Sequence, residues 1–168
     1  NVDVLGHLFE RSVHDIERIK TGGLFGERYT DDTQNKMEKS AERKRSGIYY
    51  TPPAFTEFIA YNTVWQYAQE QFAAIAEQMG IDPAEAETAQ KNRKAAAYWQ
   101  ACFEAVKAIK VVDPACGSGA FLIQAYDTFA DLYAYVLEHL AYQGVEVSEL
   151  RRQTDRWILS ENLYGVDL

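Results

Sequence analysis

The chain is poor in cysteine, histidine, proline and positive charge. Its 168 residues include two cysteines, Cys102 and Cys116, too few for a disulfide framework and in keeping with a reducing compartment. The three histidines, His7, His14 and His139, are scattered without metal-ligand spacing, and each reads as a surface or boundary residue. Lysine and arginine number 17 against 25 acids, a formal net charge of −8, which excludes a duplex-binding surface spread over the whole piece. Any grip on nucleic acid then falls to a local patch or to sequence outside this chain. No apolar run reaches membrane length and no signal-peptide pattern occurs, so the expectation is a soluble, cytoplasmic protein without a membrane partner. The chain starts at Asn1 without a methionine and stops at Asp167-Leu168, inside what reads as a strand. It is expected to be a piece of a larger protein, long enough to bury a core of its own.

Periodicity supplies the organisation. Residues 2–20 read as a helix, with Val4, Leu5, Leu8, Phe9, Val13, Ile16 and Ile19 at helical steps. Residues 21–47 combine Gly22, Gly23 and Gly26 with the basic run 36–45, a solvated linker or short exposed helix, with phosphate contact as the alternative. A helix is expected from just after Thr51-Pro52-Pro53 to about Met79, burying Phe58, Trp65, Ala68, Phe72, Ile75 and Met79. Gly80 stops it, and Asp82-Pro83-Ala84-Glu85 caps the start of another helix running to about Ile109. The two form a hairpin expected to lie on the edge or face of a sheet. A strand at 110–113, a helix from about Gly119 to Gln143 ended by Gly144, a short helix over roughly 148–159 and a strand at 163–167 complete an α/β pattern.

The most informative segment is Asp113-Pro114-Ala115-Cys116-Gly117-Ser118-Gly119, between the first strand and its helix. Strand, glycine-rich turn and helix N-terminus build a nucleotide cradle, because glycine lets the backbone approach a ligand and the first helical N–H groups face polar or anionic atoms. The carboxylate at the strand end would repel a pyrophosphate and suits a zwitterionic, adenosine-containing ligand. A phosphate-binding P-loop fails, since Ala120-Phe121 follow the last glycine where lysine and a hydroxyl are required. A dinucleotide fingerprint is weakened by Leu122 at its third glycine. Ser118 lacks the glycines of a nucleophile elbow, and Cys116 reads as a small packed turn residue. Asp167, at the second strand end, stands where a carboxylate can accept from both ribose hydroxyls.

With these residues in place, the sequence resembles a known family, the S-adenosylmethionine-dependent adenine-N6 DNA methyltransferases. Asp113-Pro114-Ala115-Cys116-Gly117-Ser118-Gly119 with Phe121-Leu122 is similar to that family's cofactor motif. Gly47-Ile48-Tyr49-Tyr50-Thr51-Pro52-Pro53 resembles its upstream closing element, and Leu163-Tyr164-Gly165-Val166-Asp167-Leu168 its ribose-binding strand. Val4 to Glu10 resembles, less specifically, the helical lead-in of large restriction–modification and phage-defence methylases. The resemblance implies a Rossmann-like methyltransferase of which only the first β-α-β is present, behind a mainly helical N-terminal extension. It divides the chain at 1–46, 47–109 and 110–168. It also implies that Tyr50, Thr51 and Pro52 border the methionine carboxylate and that Asp113 lies near the methionine ammonium. Ala115, Cys116, Gly117, Ser118 and Gly119 would give backbone contacts near the sulfonium, Asp167 would hold the ribose, and Leu168 would begin a wall against the adenine. The implied cofactor is S-adenosylmethionine and the implied partner is double-stranded DNA, through the full-length protein. One family element is absent: the sole paired prolines are Thr51-Pro52-Pro53-Ala54, so the catalytic Asn- or Asp-Pro-Pro-Tyr/Phe motif is expected beyond Leu168. A piece of this extent should expose apolar surface, bind cofactor weakly or not at all, and be inactive alone. A nucleotide-binding oxidoreductase fragment and a non-enzymatic helical interaction module remain as alternatives.

Overall fold

The structure, a computed structural model, describes Thr51, residues 53–89 and residues 91–167. The helix expected at 2–20, the basic region, and Tyr50, Pro52 and Leu168 lie outside the described residues. Residues 1–53 and Ala54–Leu168 are two separate units, and the second holds nearly all of the described chain.

The first rod consists of α1 (Pro53–Ala60), a π-helical turn (Tyr61–Trp65) and α2 (Gln66–Met79). Its buried line is Thr56, Ala60, Val64, Ala68, Phe72 and Ala76, one residue in every four. On a regular α-helix each four-residue step advances that line by about 40° around the axis. The wider π turn rotates it back toward the core. The expected stripe is therefore corrected at its first member: Phe58 is 66% exposed, and Val64 takes the inward place. Gly80 ends α2 in the left-handed region (φ 58°), with its N–H on Glu77 and the Ile81 N–H on Ala76 at 3.0 Å. That pattern is a Schellman ending.

The expected long third helix is two helices, α3 (Pro83–Thr88) and α4 (Arg93–Ala108). Asp82 Oδ1 accepts from the Ala84 N–H at 2.9 Å, as its place before Pro83 implies. A second cap, Asn92, accepts from the N–H groups of Lys94 and Ala95 and starts α4 afresh. The break is held from a distance by Gln143, which donates to the Ala89 carbonyl (2.6 Å) and accepts from the Asn92 N–H (2.9 Å). Gln143→Ala strands both backbone groups beside the core, so a loss of about 1–3 kcal/mol is expected in denaturant unfolding. Gln143→Glu, which keeps the acceptor for Asn92 but sets a carboxylate oxygen against the Ala89 carbonyl, should lose at least as much.

After α4 come β1 (Val111–Asp113), α5 (Ala120–Tyr142), α6 (Ser148–Trp157), a second π turn (Ile158–Asn162) and β2 (Leu163–Gly165). The strands are parallel and paired Val111 to Leu163, Val112 to Tyr164 and Asp113 to Gly165. β2 is shorter than expected, so Asp167 lies beyond its end. Helix α5 is the centre of the unit. Its Phe129, Leu132, Tyr133, Val136 and Leu140 are fully buried in one core with Tyr98, Trp99, Cys102, Phe103 and Val106 of α4. The hairpin thus packs, through α4 and the first π turn, on α5 rather than chiefly on the sheet. The sheet's outer side is bare: Val112 is 59% exposed, Tyr164 41% and Val166 51%. Lys110 crosses that side, donating to the Tyr164 hydroxyl at 3.1 Å and the Glu161 carbonyl at 3.2 Å. Parallel sheets ordinarily have both faces covered, so the apolar exposure expected of two strands is present. Among the described residues no helix is long and apolar enough to cross a membrane.

Candidate functional site

The site is built where β1 turns into α5. Pro114 favours an extended Asp113 before it, and Asp113 Oδ1 accepts from the Ala115 N–H at 3.1 Å, folding the chain back over the strand end. Gly117 (φ 49°) and Gly119 (φ 81°) both take left-handed conformations that a side chain would strain. The Gly119 N–H closes the turn on the Cys116 carbonyl at 2.7 Å, and Ile123 makes the first intrahelical bond to the Gly119 carbonyl at 2.9 Å. The N–H groups of Ala120, Phe121 and Leu122 therefore stand ahead of the helix's own ladder. The N-cap residue, Gly119, has no side chain with which to cap this end of α5.

Two backbone bonds join the turn to the second strand. The Val166 N–H donates to the Asp113 carbonyl at 2.9 Å, and the Cys116 N–H donates to the Val166 carbonyl at 3.0 Å. The parallel ladder thus runs one residue past β2 and into the turn. Asp113 and Asp167 leave neighbouring strand ends on the same edge, Asp113 half-exposed and Asp167 exposed. Ala115, Gly117 and Ser118 are exposed on the rim, while Cys116 is half-buried beneath it. A Cβ built on Gly117 or Gly119 meets nothing within 4 Å, so the rim opens outward where backbone can meet a ligand.

Gly165 is a site residue that sequence reasoning missed. A Cβ there would lie 2.7 Å from Leu122 Cδ1 and 3.1 Å from Cys116 Sγ. The turn and the first turn of α5 therefore sit directly on the β2 backbone. A glycine inside a strand pattern is the signal that could have found it. Cys116 packs on this strand, which matches its reading as a small turn residue. Cys102 is buried in α4, and burial pushes its thiol up to about 12, so it remains protonated and unreactive. His139 stacks on Trp99 at 4.0 Å between ring centres, and burial lowers its pKa, keeping it neutral. Thr51 is half-exposed just ahead of α1, in the unit formed by residues 1–53.

The electrostatics follow from composition. No lysine or arginine occurs between Lys110 and Arg151, so the cradle offers two carboxylates and a helix N-terminus but no cationic side chain of its own segment. The carboxylates favour a positive group, and the free helical N–H groups favour a negative one. One small ligand carrying both charges, with hydroxyls besides, satisfies the whole set.

Residues 86–168, just under half of the chain, match the family model described as MmeI, DNA-methyltransferase domain. The chain is similar to the adenine-specific methyltransferase BrxX of Escherichia coli O9:H4 (strain HS), 26% identical over 92% of this chain and 12% of that protein. It is also similar to a candidate type II restriction enzyme and methyltransferase of Methanocaldococcus jannaschii, 26% identical over 100% of this chain and again 12% of the relative. The chain therefore spans about an eighth of the length of the curated relatives it matches. No solved structure gives a significant match. The turn, both strand ends and Asp167 all lie inside the stretch that matches the family model.

Proposed function

We propose that the protein carrying this chain transfers a methyl group from S-adenosylmethionine to adenine N6 in double-stranded DNA, in restriction–modification or phage defence. One observation carries the reading: the turn 114–119 is stitched by backbone bonds to Val166, with an acid on each side and no cation of its own segment. The fold belongs to this reading as the opening β-α-β of a Rossmann-like sheet over 110–168, after segments divided at 1–46 and 47–109. So does a cytoplasmic location.

The residues fit the cofactor by charge and by space. Asp113 accepts from the methionine ammonium, while the rim from Ala115 to Gly119 meets the sulfonium side through backbone. The left-handed glycines leave that rim without bulk. Asp167 accepts from the ribose hydroxyls, and the sequence resemblance assigns Leu168 to the apolar wall against the adenine ring. Tyr50, Thr51 and Pro52 are assigned to the methionine carboxylate by the sequence resemblance alone. When bound, S-adenosylmethionine supplies an electrophilic methyl carbon for in-line attack by an amine nitrogen. The share of the barrier assigned to these residues is placement. The acceptor for the target amine would be an Asn- or Asp-Pro-Pro-Tyr/Phe motif, which the chain's one Pro-Pro pair at 52–53 does not supply, and the adenine leaves the duplex to reach the methyl.

The test uses the full-length protein, S-adenosylmethionine labelled on its methyl group, and duplex DNA. Digestion of the product should place the label on N6-methyladenine. Label on cytosine would overturn the adenine assignment. Absence of any cofactor binding by calorimetry would overturn the methyltransferase reading as a whole.

A further inference from the structure

We propose that Asn162, held by Tyr133, is a positioning residue for the cradle: it fixes the register of the two strands whose far ends carry the turn and both acids. Its consequence for cofactor binding rests on the methyltransferase function proposed for this site; the geometry of the clamp does not.

Asn162 is fully buried at the end of the second π turn, one residue before β2. Its amide donates to the carbonyls of Ile109 (2.7 Å), Val106 (3.0 Å) and Lys107 (3.4 Å), and its Oδ1 accepts from the Tyr133 hydroxyl at 3.0 Å. A helix cap would need only the α4 carbonyls. This side chain also binds Ile109, two residues before β1, and receives α5 through Tyr133. It therefore meets all three elements that build the cradle, at the entrance of both strands.

Each strand is only three residues long and contributes little register energy of its own. A slip by one residue would bring Tyr164 or Val166 to the place where Gly165 passes under Leu122 and Cys116, where a side chain larger than a methyl has no room. It would also remove the bonds from Val166 to Asp113 and from Cys116 to Val166. The anchor at Asn162 opposes that slip, and a strand of this length transmits it directly to the turn.

The experiment compares wild type, Tyr133→Phe, Asn162→Asp and the control Phe72→Leu in the full-length protein. Tyr133→Phe leaves the core shape intact and the Asn162 oxygen without its donor. Hydrogen exchange at the Cys116 and Val166 amides should become about fivefold to tenfold faster, the effect of one lost buried hydrogen bond. KM for S-adenosylmethionine should rise by a similar factor, with kcat at saturation within about twofold of wild type. Phe72→Leu should lower the melting temperature yet leave both quantities unchanged, which separates positioning from general stability. Asn162→Asp, which sets a carboxylate against carbonyl oxygens, should exceed Tyr133→Phe in every readout; if it does not fold, Tyr133→Phe decides alone. Unchanged exchange at both amides in Tyr133→Phe, whatever happens to KM, overturns the proposal. Faster exchange in Tyr133→Phe, in a protein whose wild type binds no S-adenosylmethionine, supports the clamp and rejects the methyltransferase reading.

Discussion

Gly165→Val is expected to destabilise the protein by about 1–3 kcal/mol, the usual range for forcing methyl groups into packed space, and to abolish cofactor binding with it. Even a single Cβ would lie 2.7 Å from Leu122 Cδ1 and 3.1 Å from Cys116 Sγ. Leu122 can swing its terminal methyl aside, so Gly165→Ala should be mild. Valine adds two γ-carbons, and Cys116 cannot retreat because its N–H is tied to Val166. The turn must lift, and the bonds between it and the second strand are lost. Denaturant unfolding with calorimetry on each variant measures both effects. Adding Leu122→Ala to Gly165→Val should recover part of the stability. A valine variant as stable as wild type would show that the turn does not rest on this strand.

The second large effect is electrostatic. Asp113→Ala should weaken S-adenosylmethionine binding by about tenfold to a hundredfold, the range for losing a hydrogen bond to a charged group. Asp113 also accepts from the Ala115 N–H, so a loss in the alanine variant alone would be ambiguous. Asp113→Asn separates the two roles, since its amide oxygen still serves Ala115 while the negative charge is gone. The expected result is a loss nearly as large as in alanine. An asparagine variant with wild-type affinity would leave Asp113 as a turn residue only and remove the ammonium contact from the reading.

Features whose cause lies within a few residues were legible in the sequence. Gly80 and Gly144 end their helices because the left-handed residue and the two bonds it closes are local. Asp82 caps because its proline and its acceptor sit side by side. The turn at 114–119 was legible for the same reason, from glycine spacing and the strand ahead of it. Features caused from a distance were not. The break between α3 and α4 is maintained by Gln143, about fifty residues on. Phe58 reads as core on an unbroken helical period, and only the π turn after it rotates Val64 inward. The strand closed by Asp167 is shorter than its apolar pattern because pairing stops with the short β1. Gly165 and Asn162 matter for what touches them, and those partners lie on other elements.

The absence of lysine and arginine between residues 110 and 151 has a bearing on selectivity in a crowded cell. Adenosine di- and triphosphates share the adenosine of the proposed cofactor and are abundant rivals. A cradle rimmed by two acids would repel their phosphate tails while accepting a ribose. Discrimination against these competitors would come from charge the site withholds, with no contact devoted to excluding them.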